Sequence, residues 1–328
     1  MNRRHAVLSL GALMLVDLIR DARAQVPRVP ARVGILSSGS VETSGHIIDA
    51  FKQSMREHGY VEGTNVLFEV AYAEGRVDRL NSLARTLIAN GPDVLVSAAP
   101  QMIRTLQRMA GAIPIVMAQV SDPVGNGFVA SLARPGGNIT GIGNQYEEVL
   151  PKIFEILSAL VPKLERVGVL VNETHSQHAA YWSASVTALD GLGKKALRFA
   201  ASRLEDLEPA FAAMTRQGAQ AVVVTGDPFF LAYRQKIADL ALRHRLPAGY
   251  GITEHVPAGG LFGYGPDLIS NYRRAAYFVD RILKGARPAD LPVEQPTKFE
   301  LVINRTTAKA LGIAIPQSIL LRADRVIE

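Results

Sequence analysis

The 328 residues allow about two domains at roughly 150 residues each, with room for a core in both. Hydrophobic residues make up 48% and charged residues 20%, which excludes a disordered or collagen-like chain. The 36 lysines and arginines against 30 acids give a net charge of +6, of which Arg3, Arg4, Arg20 and Arg23 against Asp17 and Asp21 place +2 in the first 24 residues; the rest is too diffuse for a nucleic-acid surface.

With no cysteine, disulfides, thiolate metal sites, cysteine nucleophiles and a cysteine-linked lipid anchor are excluded. At the amino terminus Arg3 and Arg4 precede an apolar run from Ala6 to Val16, and Ala22-Arg23-Ala24 supplies a small-x-small pattern. This order reads as a signal peptide over residues 1–24, cleaved after Ala24 in an exported, periplasmic protein. The run is well short of the ~20 residues that span a bilayer, so no stable membrane insertion is expected.

From Arg32 onward β-rich runs alternate with helical periodicity, the pattern of parallel α/β layers. Val33 to Leu36 reads as a buried strand, followed by a helix with Ile47, Phe51 and Met55 on one stripe that stops at His58-Gly59. Strand 66–70, a helix with Leu80, Leu83, Leu87 and Ile88, strand 94–96, helix 101–110 and strand 115–117 complete one lobe. The second half repeats the plan without repeating the sequence: strand 167–171, a helix to Gly193, strand 196–199, a helix carrying Leu207, Phe211 and Met214, strand 221–225, and a helix carrying Tyr233, Ile237 and Leu240. A strand at 260–263, a long helix with Tyr272, Ala276, Val279 and Leu283, a proline-rich stretch to Gln295, a further strand and a short helix close the chain. Right-handed crossovers make each half a doubly wound sheet, so function is expected in the loops beyond the carboxyl ends of the strands.

Those loops lack catalytic signatures. Gly34 to Gly39 has the glycine spacing of a phosphate loop, but Ser40-Val41 replaces its lysine and hydroxyl residue. Gly141-Ile142-Gly143 lacks the third glycine of a dinucleotide fingerprint, and no nucleophile elbow or zinc-protease motif occurs. His175 and His178 near Glu173 are spaced to share a metal, but no further ligand set accompanies them, and they read as the first turn of a helix. What the loops offer is small polar groups and two isolated acids in Val120-Ser121-Asp122-Pro123 and Thr225-Gly226-Asp227-Pro228. These suit hydrogen bonding to a small polar molecule, with turn or cap chemistry as the alternative for both Asp-Pro pairs. On this reading Asp122 and Asp227 face each other across a cleft. Tyr181 and Trp182 either pack in the core or stack on a ligand.

Several segments together resemble a known family. They are Val33 to Ser38, Val120 to Gly125, Gly136-Gly137-Asn138-Ile139-Thr140-Gly141, the run Pro296 to Asn304, and Ala310 to Pro316. The sequence resembles the ABC transporter substrate-binding family that includes tryptophan/tyrosine-binding members, over essentially everything after the export segment. The resemblance implies a type I periplasmic binding protein: two doubly wound parallel-sheet lobes joined by a three-strand hinge, the first formed by residues 31–141 plus 265–290 and the second by 142–264 plus 291–328. Gly259, Gly260, Gly263 and Gly265 are hinge candidates. It also implies capture of a small organic ligand such as an amino acid, presentation to an ABC permease, a monomer, no enzyme activity and no cofactor. Carried over by motif, Ser37, Ser38, Pro100, Gln101, Ser121 and Asp122 line the first lobe, and Gln145, Asn172, Ser176, Asp227 and Tyr250 the second. Ser97 to Gln101 lacks the Thr-Pro pair many relatives have there, so the aromatic amino acid does not carry over with the fold. A sensor protein feeding a receptor shares every one of these features; a two-lobed cleft enzyme would need a nucleophile–base or metal set that the sequence does not display.

Overall fold

The computed structural model describes residues 30–144 and 146–328; the expected export segment and Gln145 lie outside them. The first lobe is built from β1 (Ala31–Ser37), α1 (Val41–Glu57), β2 (Val66–Tyr72), α2 (Leu80–Ala89), β3 (Val94–Ala98), α3 (Pro100–Met109), β4 (Ile115–Ser121) and β5 (Ile139–Asn144). Its sheet runs β2-β1-β3-β4-β5, parallel throughout. Continuous burial of Val33 to Ser37 and Val94 to Ser97 reflects helices on both faces. Helix α1 starts in a reciprocal cap: Ser40 Oγ accepts from Thr43 N at 3.3 Å, and Thr43 Oγ1 accepts from Ser40 N at 2.8 Å.

The second lobe contains α4 (Leu150–Leu160), β6 (Arg166–Val171), α5 (His178–Gly191), β7 (Lys195–Ala200), α6 (Leu204–Arg216), β8 (Ala221–Val224), α7 (Pro228–Ala232), α8 (Arg234–Arg243), β9 (Ala248–Tyr250) and β10 (Phe262–Pro266). After β10 the chain forms α9 (Leu268–Leu283), then β11 (Phe299–Asn304), α10 (Arg305–Leu311), α11 (Gln317–Leu320) and β12 (Arg325–Ile327). The second sheet runs β12-β11-β10-β9-β8-β6-β7, with β10 and β11 its antiparallel pair. From β7 to β10 the strands follow the same doubly wound order as in the first lobe.

Three segments connect the lobes: β5 to α4, β10 to α9, and α9 to β11. Helix α9 packs on the first lobe, where Tyr272, Ala276 and Val279 share a core with Ile47, Phe51 and Met55 of α1. Two expected boundaries shift. Strand β5 runs on to Asn144, and residues 291–294 lie along it, with Leu291 O accepting from Thr140 Oγ1 at 2.6 Å and Glu294 N donating to Gly141 O at 2.9 Å. The third crossing therefore begins after Glu294. Gly263 and Gly265 sit inside β10, where close approach excludes a side chain: a Cβ on Gly265 would meet Gly251 O. At the second crossing Asp267 caps α9 through Ser270 N at 3.1 Å and accepts from Lys298 Nζ of the third crossing at 2.8 Å. Burial opposes its ionisation, but Lys298 and Ser270 outweigh that and hold the carboxyl below its ordinary value. Among the described residues no helix is long and apolar enough to cross a membrane.

Beside this crossing, Glu254 lies in the single turn Thr253–His255. The residue is half-buried, yet its Oε2 is enclosed without a hydrogen-bond partner. Burial, reinforced by the Asp267 charge, pushes its carboxyl up from 4.5 to about 7 against the pull of its own backbone N–H, Arg234 and Arg325. The unfolded chain thus loses this proton first as pH rises, and stability falls between the two values. Glu254→Gln should flatten that fall in melting temperature from pH 4.5 to 7; an unchanged slope in the variant would assign the titration to another group.

Candidate ligand-binding cleft

The carboxyl ends of β1, β3, β4 and β5 face those of β6, β8 and β9, because each crossing leaves or enters its lobe on that side. Between them lies a cavity of about 740 Å³, its mouth included. The first lobe contributes Ser37, Ser38, Ser44, Ile47, Ile48, Ala98, Ala99, Pro100, Met102, Gln119, Ser121 and Asn144, with Leu268 and Tyr272 of α9; Tyr146, His175, Gly226, Asp227, Pro228, Leu231 and Ile252 come from the other side. No lysine or arginine is among them. Ligand charge here must be met by Asp227, by neutral dipoles or by backbone N–H groups at helix starts.

Of the expected ligand residues, Ser37, Ser38, Pro100, Ser121 and Asp227 line this cavity. Gln145 lies outside the described residues. Asp122 does not line it: its carboxylate folds back to accept from Gly125 N at 2.8 Å, and the residue occupies the left-handed region at φ 43°. The expected confrontation of Asp122 with Asp227 is therefore absent, and turn chemistry accounts for Asp122. Tyr250 is buried in the second-lobe core, stacked on His255 at 4.6 Å, because the three-residue strand β9 turns its side chain to the helix layer. Asn172 is enclosed one step behind the wall, where its Nδ2 donates to Asp227 Oδ2 at 3.1 Å and its Oδ1 accepts from Thr174 Oγ1 at 2.8 Å.

Gln101 and Ser176 join the lobes instead of lining the cavity. Gln101 Nε2 donates to Thr174 O at 2.8 Å, and Ser176 Oγ donates to Asn126 Oδ1 at 3.2 Å. A third link runs from Tyr181 OH to Ser121 Oγ at 2.9 Å. Tyr181 is 1% exposed and packs on Tyr146, so its ring belongs to the core and its hydroxyl to the cleft. The spaced histidines gather no metal set: among the described residues no group of three or more His, Cys, Asp or Glu side chains could hold an ion.

The sequence reading missed Gln119, Asn144 and His175. A glutamine amid the apolar strand β4 was the available signal for the first; its Oε1 accepts from Asn271 Nδ2, leaving Nε2 for the cavity. Asn144 ends the glycine-rich strand β5, and its Oδ1 is buried with no partner, an acceptor in want of a donor.

Asp227 has a structural task as well. At 1% exposure its Oδ1 accepts from Phe229 N at 2.7 Å and Phe230 N at 3.3 Å, capping α7. Burial raises its carboxyl pKa, and His175, Asn172 and the two backbone donors counter that only in part. Asp227→Asn would set an amide N–H₂ against either a capping N–H or Asn172 Nδ2. It should cost about 1–3 kcal/mol in denaturant unfolding even without ligand; an unchanged midpoint would show that Asn172 reorients freely. Ala99, just before α3, is held at φ 66° and ψ 144°, a conformation suited to glycine. Ala99→Gly should raise unfolding stability by about 1 kcal/mol, and a loss would mean that the strain is relieved in the native chain.

Comparison with known proteins agrees with this geometry. Residues 32–327 match the family described as ABC transporter substrate binding protein. A Tyrosine-binding protein of Clostridioides difficile (strain R20291) is 23% identical over 267 residues, covering 80% of this chain and 75% of that one. The crystal structure of an ABC domain in complex with L-Trp from Streptococcus pneumonia is 26% identical with a TM-score of 0.83, covering 91% of this chain and all of that one. A conserved domain protein from Vibrio cholerae is 25% identical with a TM-score of 0.84 at the same coverage. The match over nearly every described residue, on two doubly wound lobes with a cavity between them, places the chain in the ABC transporter substrate binding protein family.

Proposed function

We propose that this protein is the exported substrate-binding component of an ABC importer, capturing an amino-acid-like zwitterion between its lobes and presenting the closed form to a permease. The carrying observation is the cavity wall: a buried, unpartnered Asn144 Oδ1 and the Asp227 carboxylate accept, serine hydroxyls and Gln119 Nε2 donate, and Ile47, Ile48, Leu231, Ile252 and Leu268 form an apolar side. An ammonium meets the acceptors, a carboxylate the donors, and an apolar side chain the rest. Export under the leader, cleavage after Ala24 and periplasmic residence belong to the same reading, supported by the basic-apolar-small order of residues 1–24. The proteins similar to this chain suggest L-tryptophan and L-tyrosine as first probes.

Calorimetry with the twenty amino acids tests the ligand. One of them should bind with micromolar affinity or better and raise the melting temperature by mass action, through about 2.7 kcal/mol of added stability at a hundred times Kd. Asn144→Leu should weaken that binding some ten- to hundredfold while leaving ligand-free stability equal or higher, because the lost oxygen has no partner in the ligand-free chain. No binding by any amino acid would overturn the ligand class; equal affinity in the variant would remove Asn144 from the site.

A further inference from the structure

Two of the three cross-cleft links described above flank one residue. Thr174 O receives Gln101 Nε2 and Ser176 Oγ reaches Asn126 Oδ1, with His175 between them. The third is made by Tyr181, on whose ring His175 stacks at 5.4 Å. His175 is 3% exposed. Its ring Nδ1 accepts from Gln177 N at 3.1 Å, its backbone N–H donates to Asn172 O at 3.0 Å, and its backbone carbonyl accepts from His178 N at 3.1 Å. One ring contact and two backbone contacts of His175 thus brace the turn from Asn172 to His178. A ring that accepts at Nδ1 carries its proton on Nε2 and is neutral.

We propose that neutral His175 is the positioning residue of a latch, the 172–177 turn, which holds the two lobes closed, and that protonating His175 releases it. A second proton would sit on Nδ1, opposite the Gln177 N–H, and two donors cannot share that contact. The turn must then open, and the atoms on either side of His175 leave their partners in the first lobe.

The titratable and charged groups around the ring are few. Asp227 at the start of α7 favours the imidazolium, and His178 at the start of α5 disfavours it. The Tyr181 phenol lies beneath the ring, and across the cleft Arg104 shares Asn126 Oδ1 with Ser176. Burial is the largest influence and lowers the His175 pKa below 6.5 in the closed form. In the open form the ring is wetted and regains its ordinary value. Closure is therefore fully supported above about pH 6.5, and support is lost as pH falls from there through the closed-form value. Within that window each pH unit changes the closed-to-open ratio by up to about tenfold.

The latch is a property of the ligand-free chain, so its test stands apart from the function proposed above. Imidazole nitrogen NMR of the mature protein, assigned with His175→Gln, should show His175 as the Nε2–H tautomer titrating below the ordinary imidazole value. Solution scattering should show a larger radius of gyration at pH 5 than at pH 7.5. His175→Gln, whose Oε1 can still accept from Gln177 N–H, should abolish that expansion. Where L-tryptophan binds, its affinity should fall on acidification in the wild type and much less in the variant. A His175 that titrates at or above the ordinary value, a radius independent of pH, or an equal expansion in His175→Gln would each overturn the latch. Failure of the variant to fold would leave the wild-type tautomer and titration to decide. L-tryptophan that does not bind would count against the ligand and leave the scattering result standing.

Discussion

The Asp227 carboxylate is the interaction on which the cleft depends. One oxygen fixes the start of α7, whose Pro228 and Leu231 form a wall of the cavity; the other receives Asn172. Asn172 uses its remaining oxygen to set Thr174, and the Thr174 carbonyl receives Gln101 from the opposite lobe. A buried carboxylate without a lysine or arginine partner is tolerated because several donors converge on it, and those donors are bound to the parts of the molecule that must stand in register. Cavity shape and lobe contact are therefore consequences of one satisfied charge.

The surrounding architecture supplies what that charge cannot. Doubly wound sheets present loops and helix starts at a single edge, and the crossings turn two such edges toward each other. Each lobe keeps its own core on both faces of its sheet, and Leu231 and Ile252 of the second lobe pack against the first-lobe core at the cleft. A ligand governs lobe contact only through its differential interaction with the three cross-cleft hydrogen bonds and this apolar contact.

Much of this was legible from residue order. Apolar runs such as Val33 to Leu36 and Ala221 to Val224 are buried on both sides and announce themselves as parallel strands. Strand β5 was hidden, because Gly141 adopts φ 125° with no room for a Cβ against Met117 O, and a glycine-rich run reads as a loop. Strand β9 is short and holds a glycine pressed on Phe262, and Tyr233 breaks the expected helix into α7 and α8. In the site, topology points to the loops at strand ends, and the family resemblance picks out Ser37 and Ser121 within them, both of which line the cavity. Asp122 and Asp227 share an Asp-Pro signature, yet one folds on its own turn and the other is enclosed by a neighbouring loop. That difference lies in what packs above each loop, and local sequence does not encode it.

The Asp267–Lys298 bond has a mechanical consequence. Lys298 also meets Glu300 at 2.9 Å, and Asp267 N donates to Lys298 O at 3.2 Å, so the second and third crossings are fastened side by side where they leave the lobes. Two fastened segments flex as one, leaving the β5–α4 crossing as the other support. A body carried on two supports turns about the line through them, so relative motion reduces to rotation about a single axis. Any approach of the two walls would then follow one arc and bring the same side chains to the same partners.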